Sequence, residues 1–126
     1  MAKRRRILVA DDEPNIVLSL TFLMERAGYE VEVVDNGEDA VTQAIESTPD
    51  LLLLDVMLPR LSGFEVCQKL RAHPACRALP IIMLTAKGRD SEISKGLALG
   101  ASAYITKPFS VQDLLAQVSA ALGKRP

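Results

Sequence analysis

Residues 51–59, LLLLDVMLP, indicate how the rest of the chain folds. Four consecutive leucines predict a strand that is covered on both faces, because a strand exposed on one face alternates apolar and polar residues. The run ends in the carboxylate of Asp55, and burial of an unpaired charge is costly. We therefore expect Asp55 to meet either a structural partner that neutralises it or a bound cation.

Length and composition predict one domain. The chain has 126 residues, of which 48% are hydrophobic, and this is enough for a single core. We assign residues 1–122 to the domain and residues 123–126 to a C-terminal tail or the start of a linker. The 15 basic and 16 acidic residues nearly balance, so no overall charge attracts the chain to nucleic acid or to a membrane. Partners must then be recognised by particular surface regions and not by the overall charge of the chain.

The remaining composition predicts a cytoplasmic protein. The apolar run at residues 7–10 is too short for a signal peptide or a membrane span and is followed by acids. Cys67 and Cys76 lack the spacing of a zinc or redox motif, and we interpret them as a small hydrophobe on a helix and a loop thiol. His73 is expected in an exposed loop. The basic cluster at residues 3–6 is interpreted as a solvated tail rather than a phosphate-backbone site.

Short apolar runs alternate with helical patterns about five times, which predicts parallel strands joined by helices. The predicted strands are residues 7–10, 30–34, 51–54, 80–84 and 103–106. The predicted helices are residues 15–27, 38–46 and 90–99, one that opens at Ser62 with Glu65, and one that opens at Ser110 with Asp113. Gly96 makes the helix at 90–99 the weakest of them. A marginal helix is also a movable one.

The predicted strands point the same way, so their carboxyl ends share the edge where open α/β sheets bind ligands. The polar side chains placed there are Asp11, Asp12, Asp55, Thr85 and Lys107. Clustered carboxylates repel one another, and magnesium relieves the repulsion while keeping positions for phosphate oxygens. The set therefore predicts a site that binds a phosphoryl group, with a carboxylate as its acceptor.

Most of these residues also have a structural interpretation. Asp11 or Asp12 would suit the cap of the first helix, Thr85 would suit a strand, and Lys107 would suit a solvated turn. Asp55 is the hardest to explain structurally, because nothing adjacent in sequence neutralises it. The joint placement of the groups at strand ends favours a functional site.

Four segments resemble the receiver domains of two-component response regulators in order and spacing. They are ILVADDEP at 7–14, LLLLDVMLPRLSGFE at 51–65, IIMLTA at 81–86 and GLALGASAYITKPF at 96–109. The resemblance covers nearly the whole chain and makes residues 1–122 a receiver domain. It implies an α/β fold of the flavodoxin-like (βα)5 type, a doubly wound sandwich with a five-stranded parallel sheet in the order 2-1-3-4-5 and helices on both faces.

The resemblance also implies a role for each polar residue. Asp55 would be the phosphoacceptor. Magnesium (Mg²⁺) would be bound directly by Asp12, largely through water by Asp11, by Asp55 itself, and by the backbone carbonyl of Met57.

The other implied roles concern the phosphoryl group. Lys107 would pair with Asp55 or with the phosphoryl oxygens, and Thr85 would donate its hydroxyl to the phosphate. The small Ala86 would leave the phosphoryl pocket accessible, while Met57 and residue 87 would shield the acyl phosphate from water and slow its loss. Tyr104 matches the aromatic switch that turns inward as Thr85 moves. The bond between Lys107 and its following proline is a cis candidate.

The implied function is a phosphorylation-activated signalling switch of a two-component phosphorelay. The phosphoryl group would come from a sensor histidine kinase or a histidine phosphotransfer protein, and the signal would leave through the fourth helix, fifth strand and fifth helix. The resemblance implies a regulatory domain rather than an enzyme, with a downstream protein or output domain as partner. Direct binding to nucleic acid or membrane is not expected, and a homodimer that forms on phosphorylation fits the same surface.

One alternative remains open, and the sequence argues against two others. A pseudo-receiver would keep the fold and act as a binding module without phosphorylation. A phosphatase of the haloacid-dehalogenase type would need an aspartate where Met57 stands. A dinucleotide enzyme would need a GxGxxG motif after the first strand, and the acids there would repel a pyrophosphate.

Overall fold

Strands and helices alternate along the chain in the computed structural model, which describes residues 4–86 and 89–123. The strands are β1 (Arg6–Ala10), β2 (Glu30–Val34), β3 (Leu51–Asp55), β4 (Ile81–Ala86) and β5 (Ala103–Lys107). The helices are α1 (Pro14–Arg26), α2 (Gly37–Ser47), α3 (Gly63–Ala72), α4 (Asp90–Ala98) and α5 (Val111–Leu122). A short 3-10 helix, Pro74–Cys76, follows α3. Residue 87, which was expected to shield the phosphate, and residues 124–126 of the expected tail lie outside the described residues.

The strands form one parallel sheet in the order β2-β1-β3-β4-β5. This confirms the predicted flavodoxin-like order and places β3 at the centre. All residues of β3 are buried. Leu52 and Leu54 pack in one core cluster with residues of α2 and α3, whereas Leu51 and Leu53 pack in a second with residues of α1 and α5. The leucine run is therefore explained by helices on both sides of the sheet.

Two expectations about single residues are wrong. Cys76 is not a loop thiol, because it ends the 3-10 helix and is 1% exposed within the first core cluster. His73 is half-buried rather than exposed. It lies between α3 and the 3-10 helix, and its Nδ1 accepts a hydrogen bond of 3.1 Å from the backbone N–H of Ala75. Both residues belong to a local turn that the sequence pattern does not reveal.

Within the basic cluster, Arg5 and Arg6 are not residues of a solvated tail, whereas Arg4 is exposed and residue 3 lies outside the described residues. The Arg6 guanidinium donates hydrogen bonds to the backbone carbonyls of Ser47 and Thr48 at the end of α2. The Arg6 backbone N–H donates to Asp50 Oδ2 at 2.7 Å, and Arg5 Nη1 lies 3.4 Å from the Leu122 carbonyl. These arginines satisfy carbonyls that the ends of α2 and α5 leave without intrahelical partners.

The start of α3 is fixed tightly against the end of β3. Ser62 and Glu65 form the predicted capping box, and the Gly63 N–H donates to the Val56 carbonyl at 2.9 Å. A Cβ added at Gly63 would lie 2.5 Å from the Asp55 carbonyl oxygen and 2.9 Å from Val56 Cα. Glycine at this position thus lets the helix approach the strand that carries Asp55.

Gly63→Ala is expected to lower the free energy of unfolding by about 2 kcal/mol, because the added methyl group meets backbone atoms that have no room to move. Urea denaturation would measure the loss, with Ser94→Ala at an exposed position of α4 as the control. A Gly63→Ala variant as stable as the wild type would show that α3 and β3 do not approach so closely.

Candidate functional site

An acidic cluster lies at the carboxyl edge of the sheet. Asp11 follows β1 and Asp55 ends β3, and each of Asp11, Asp12 and Asp55 offers a carboxylate oxygen within 4.8 Å of the others. Asp11 is fully buried and Asp55 is 4% exposed, whereas Asp12 faces solvent. The structure therefore brings together the carboxylates that the sequence placed at the ends of neighbouring strands.

Lys107, at the end of β5, reaches into this cluster. Its Nζ lies 3.2 Å from Asp11 Oδ2, 3.3 Å from Asp55 Oδ1 and 3.0 Å from Glu13 Oε1. Burial favours the neutral amine, but the bond to Glu13 and the charges of Asp55 and Asp11 outweigh it and raise the pKa of Lys107. Lys107 is therefore a firmly charged counterion. Sequence reasoning did not single out Glu13, although it completes the acidic run at 11–13.

The Asp55 carboxylate remains under-compensated. Burial, and then the negative charge of Asp11, raise its pKa above the usual value, while Lys107 and the backbone N–H of Met57 act in the opposite direction. The Met57 N–H lies 3.3 Å from Asp55 Oδ1. The partner expected for Asp55 is thus partly Lys107, because burial and Asp11 raise the pKa of Asp55 more than Lys107 and the Met57 N–H lower it.

The donor atoms of the cluster suit a hard divalent cation. The buried Asp11 Oδ2 lies 3.2 Å from the Lys107 ammonium and has no other polar partner among the described residues. The other oxygen, Asp11 Oδ1, accepts from the Glu13 N–H at 2.9 Å, and α1 has no side-chain cap. The carboxylates therefore point into the site instead of capping α1. Oxygen donors of this kind, in this number, fit Mg²⁺.

A cleft of about 160 Å³ opens beside the acidic cluster. The predicted pocket residues Met57 and Ala86 line it, and the Met57 side chain is 71% exposed. Asp12, Asp55 and Lys107 line the same space. The cleft therefore offers an anionic group access to Asp55 from solvent.

Of the two predicted switch residues, Thr85 lines the cleft, whereas Tyr104 lines a separate cavity next to residues of α4 and β5. Thr85 is 2% exposed, and its hydroxyl donates a hydrogen bond of 2.9 Å to Glu92 Oε1. Tyr104 is 39% exposed. The bond between Lys107 and Pro108 is cis, as the resemblance implied. Glu92 was missed by sequence reasoning, because an acid in the first turn of a helix usually indicates interaction with the helix dipole.

Within the described part of the chain, every helix is too short or too polar to cross a membrane. The parallel α/β sandwich, with an acidic cluster and a lysine at its carboxyl edge, has the architecture of a receiver domain. A family model described as the response regulator receiver domain matches residues 7–119. The chain belongs to this family, and the resemblance stated from the sequence is confirmed.

Two curated relatives are regulatory proteins. The chain is 46% identical over 117 residues to the phosphate regulon transcriptional regulatory protein PhoB of Rhizobium meliloti (strain 1021), across 93% of this chain and 52% of the relative. It is 48% identical over 118 residues to the alkaline phosphatase synthesis transcriptional regulatory protein PhoP of Bacillus subtilis (strain 168), across 94% and 48%. The chain spans about half the length of these curated relatives.

A solved structure shows a metal in a related site. The receiver domain of the sensor histidine kinase PA1611 from Pseudomonas aeruginosa PAO1 has a magnesium ion coordinated in its active site cleft. It is similar to this chain with a TM-score of 0.90 and 30% identity, covering 97% of this chain and 100% of that one.

Proposed function

We propose that this receiver domain is a phosphorylation-activated switch in which Asp55 accepts a phosphoryl group. The observation that carries the proposal is the buried Asp55 carboxylate, which lies 3.3 Å from the Lys107 ammonium and within 4.8 Å of Asp11 and Asp12. A structural ion pair needs one counterion and no opening to solvent. Here additional carboxylates and an open cleft surround the pair, as a site for an incoming phosphoryl group requires.

The donor is a phosphohistidine of a sensor histidine kinase or of a histidine phosphotransfer protein. An Asp55 carboxylate oxygen attacks the phosphorus, the phosphorus–nitrogen bond breaks with its electrons going to the imidazole, and the imidazole takes a proton from water. Lys107 balances the negative charge beside Asp55. The Thr85 hydroxyl, which donates to Glu92 in this structure, would donate to a phosphoryl oxygen after it leaves Glu92.

Magnesium is the cofactor that fits the cluster. Asp11, Asp12, Asp55 and the Met57 carbonyl would bind it. When bound, it neutralises charge that builds up between the carboxylates and the phosphoryl oxygens. The magnesium ion reported for the PA1611 receiver domain supports this assignment for the present chain.

The signal would leave through the face formed by α4, β5 and α5. This face exposes Leu97, Tyr104 and Val111, and a shallow cavity lined by Tyr104 lies between the elements. Inward rotation of Tyr104 would change its shape when Thr85 moves. The partner is a downstream protein or an output domain. Because two relatives are transcriptional regulatory proteins, we propose that the partner controls transcription. Phosphorylation-dependent homodimerisation through this face is part of the same proposal.

The direct test is intact mass after incubation with a small acyl-phosphate donor, with and without Mg²⁺, on the wild type and on Asp55→Asn. We expect the wild type to gain one phosphoryl group in the presence of Mg²⁺, and the variant to gain none because its amide is a poor nucleophile. Asp35→Asn, which changes an exposed acid after β2, is the matched control and should behave as the wild type. No gain by folded wild-type protein that binds Mg²⁺ would overturn the proposal in favour of a pseudo-receiver.

A further inference from the structure

The amino-terminal half of α4 is joined to the site through Glu92. The Thr85 hydroxyl donates a hydrogen bond to Glu92 Oε1, and the two oxygens are 2.9 Å apart. Glu92 Oε2 lies 3.6 Å from Arg89 Nη1. The Glu92 side chain is 17% exposed, and it lines the same cleft as Asp55 and Lys107. A helix residue therefore makes a polar contact with the residue expected to bind the phosphate.

The carboxyl-terminal end of α4 is held differently. Arg71 of α3 donates from Nε to the Gly100 carbonyl and from Nη1 to the Cys76 carbonyl, both at 2.9 Å. A Cβ added at Gly96 would lie 2.7 Å from Met83 Sδ, so the helix packs closely on β4 at that point. These contacts involve no atom of the acidic cluster. A change at the cluster would therefore act on the first turn of α4 and leave its far end in place.

We propose that Glu92 is a latch that holds Thr85 away from the acceptor and thereby sets how readily Asp55 is phosphorylated. The inference rests on the proposed function of Asp55. A threonine hydroxyl has only one hydrogen to donate. Thr85 therefore cannot donate a hydrogen bond to Glu92 and to a phosphoryl oxygen at the same time. Thr85 can therefore donate to a phosphoryl group on Asp55 only after its bond to Glu92 breaks.

The negative charge of Glu92 opposes phosphorylation of Asp55, as does its hydrogen bond to Thr85. A phosphoryl group on Asp55 would bring about two negative charges into the cleft that Glu92 lines, and like charges in a confined site repel. Release of Thr85 and repulsion of Glu92 together displace the first turn of α4. The helix then pivots about the end that Arg71 holds. Glu92 is a positioning residue, because it acts on the reacting group through Thr85.

The test compares the wild type with Glu92→Ala and Glu92→Gln. Alanine removes both the acceptor and the charge, whereas glutamine keeps an oxygen that accepts the Thr85 hydroxyl and removes the charge. Asp90→Asn is the matched control, because it removes one negative charge from the same exposed turn of α4. Thermal melting of each variant establishes that it is folded.

Two measurements test the role of Glu92 separately from the phosphorylation of Asp55. The first is the Thr85 methyl resonance in the unphosphorylated protein, which we expect Glu92→Ala to move and Asp90→Asn to leave in place. The second is the initial rate of phosphorylation by an acyl-phosphate donor with Mg²⁺. We expect Glu92→Ala to raise this rate about tenfold, because that factor corresponds to the free energy of one hydrogen bond to a charged acceptor. The rate of Glu92→Gln should lie between the rates of Glu92→Ala and the wild type.

The outcomes distinguish the role of Glu92 as a latch from the phosphorylation of Asp55. An unmoved Thr85 resonance in Glu92→Ala would overturn the latch while leaving phosphorylation of Asp55 intact. A moved resonance with an unchanged rate would overturn the regulatory role of Glu92. Absence of phosphorylation in all proteins would overturn the proposed function and, with it, the regulatory inference. In that case the resonance would still report whether Glu92 holds Thr85.

Discussion

Lys107→Met is expected to lower the free energy of unfolding by about 3 kcal/mol in metal-free buffer, the size of effect seen when one partner of a buried ion pair is removed. Lys107 is 16% exposed in its side chain, and its ammonium lies within 3.3 Å of carboxylate oxygens of Asp11, Glu13 and Asp55. Methionine keeps much of the apolar stem and removes the charge. Asp11 and Asp55 would then be buried with no cation beside them.

Magnesium is expected to recover most of this loss. A cation that binds only the folded protein stabilises it by an amount that rises with the logarithm of the cation concentration above its dissociation constant. The variant has more unbalanced negative charge than the wild type, so we expect it to gain more from the cation. Urea denaturation with a chelator and with saturating Mg²⁺ would measure both quantities. Lys69→Met, at an exposed position of α3, is the matched control and should change little in either buffer. A loss that Mg²⁺ does not reduce would contradict the assignment of the carboxylates as a metal site.

Leu53→Ala is expected to lower the free energy of unfolding by about 3 kcal/mol, because the cavity left by a buried leucine cannot fully close. Leu53 is fully buried in the central strand, opposite Val9 of β1 and Ile82 of β4. The change also loosens the strand that ends in Asp55. We therefore expect phosphorylation of the variant to fall in parallel with its folded fraction.

Leu18→Ala provides the comparison for that prediction. Leu18 is 72% exposed on α1, so its truncation should alter stability by no more than about 0.5 kcal/mol. Chemical denaturation of both variants under one set of conditions would show the difference. Equal losses at the two positions would mean that β3 is not the centre of the core.

The sequence alone predicted the order of strands and helices because apolar runs and caps are local signals. The predicted positions of the strand ends were less accurate. β3 continues through Asp55 and β5 through Lys107, because pairing with neighbouring strands extends beyond the apolar run. β4 begins after Pro80, whose carbonyl accepts from the Leu52 N–H at 2.9 Å but whose own nitrogen has no hydrogen to donate. The ends of β3 and β5 therefore depend on the partner strands, whereas the start of β4 depends on Pro80 itself.

The candidate site was predictable only in part. The convergence of Asp11, Asp55 and Lys107 follows from strands that point one way, and the structure places them within ion-pair distance. The contacts of Glu13 with Lys107 and of Glu92 with Thr85 were not predicted. Both depend on how a loop or helix end turns over the sheet edge, and sequence spacing carries no information about that angle.

The central sheet also affects how the molecule tolerates mutation. Leu52 and Leu54 contact one core, whereas Leu51 and Leu53 contact the other, and the backbone of the sheet separates them. Substitutions that share no side-chain partner have nearly additive effects on stability. The side that carries α2 and α3 can therefore diverge during evolution without compensating changes on the side that carries α1 and α5. A lineage of such domains can acquire new partners on one side while the other side keeps its shape.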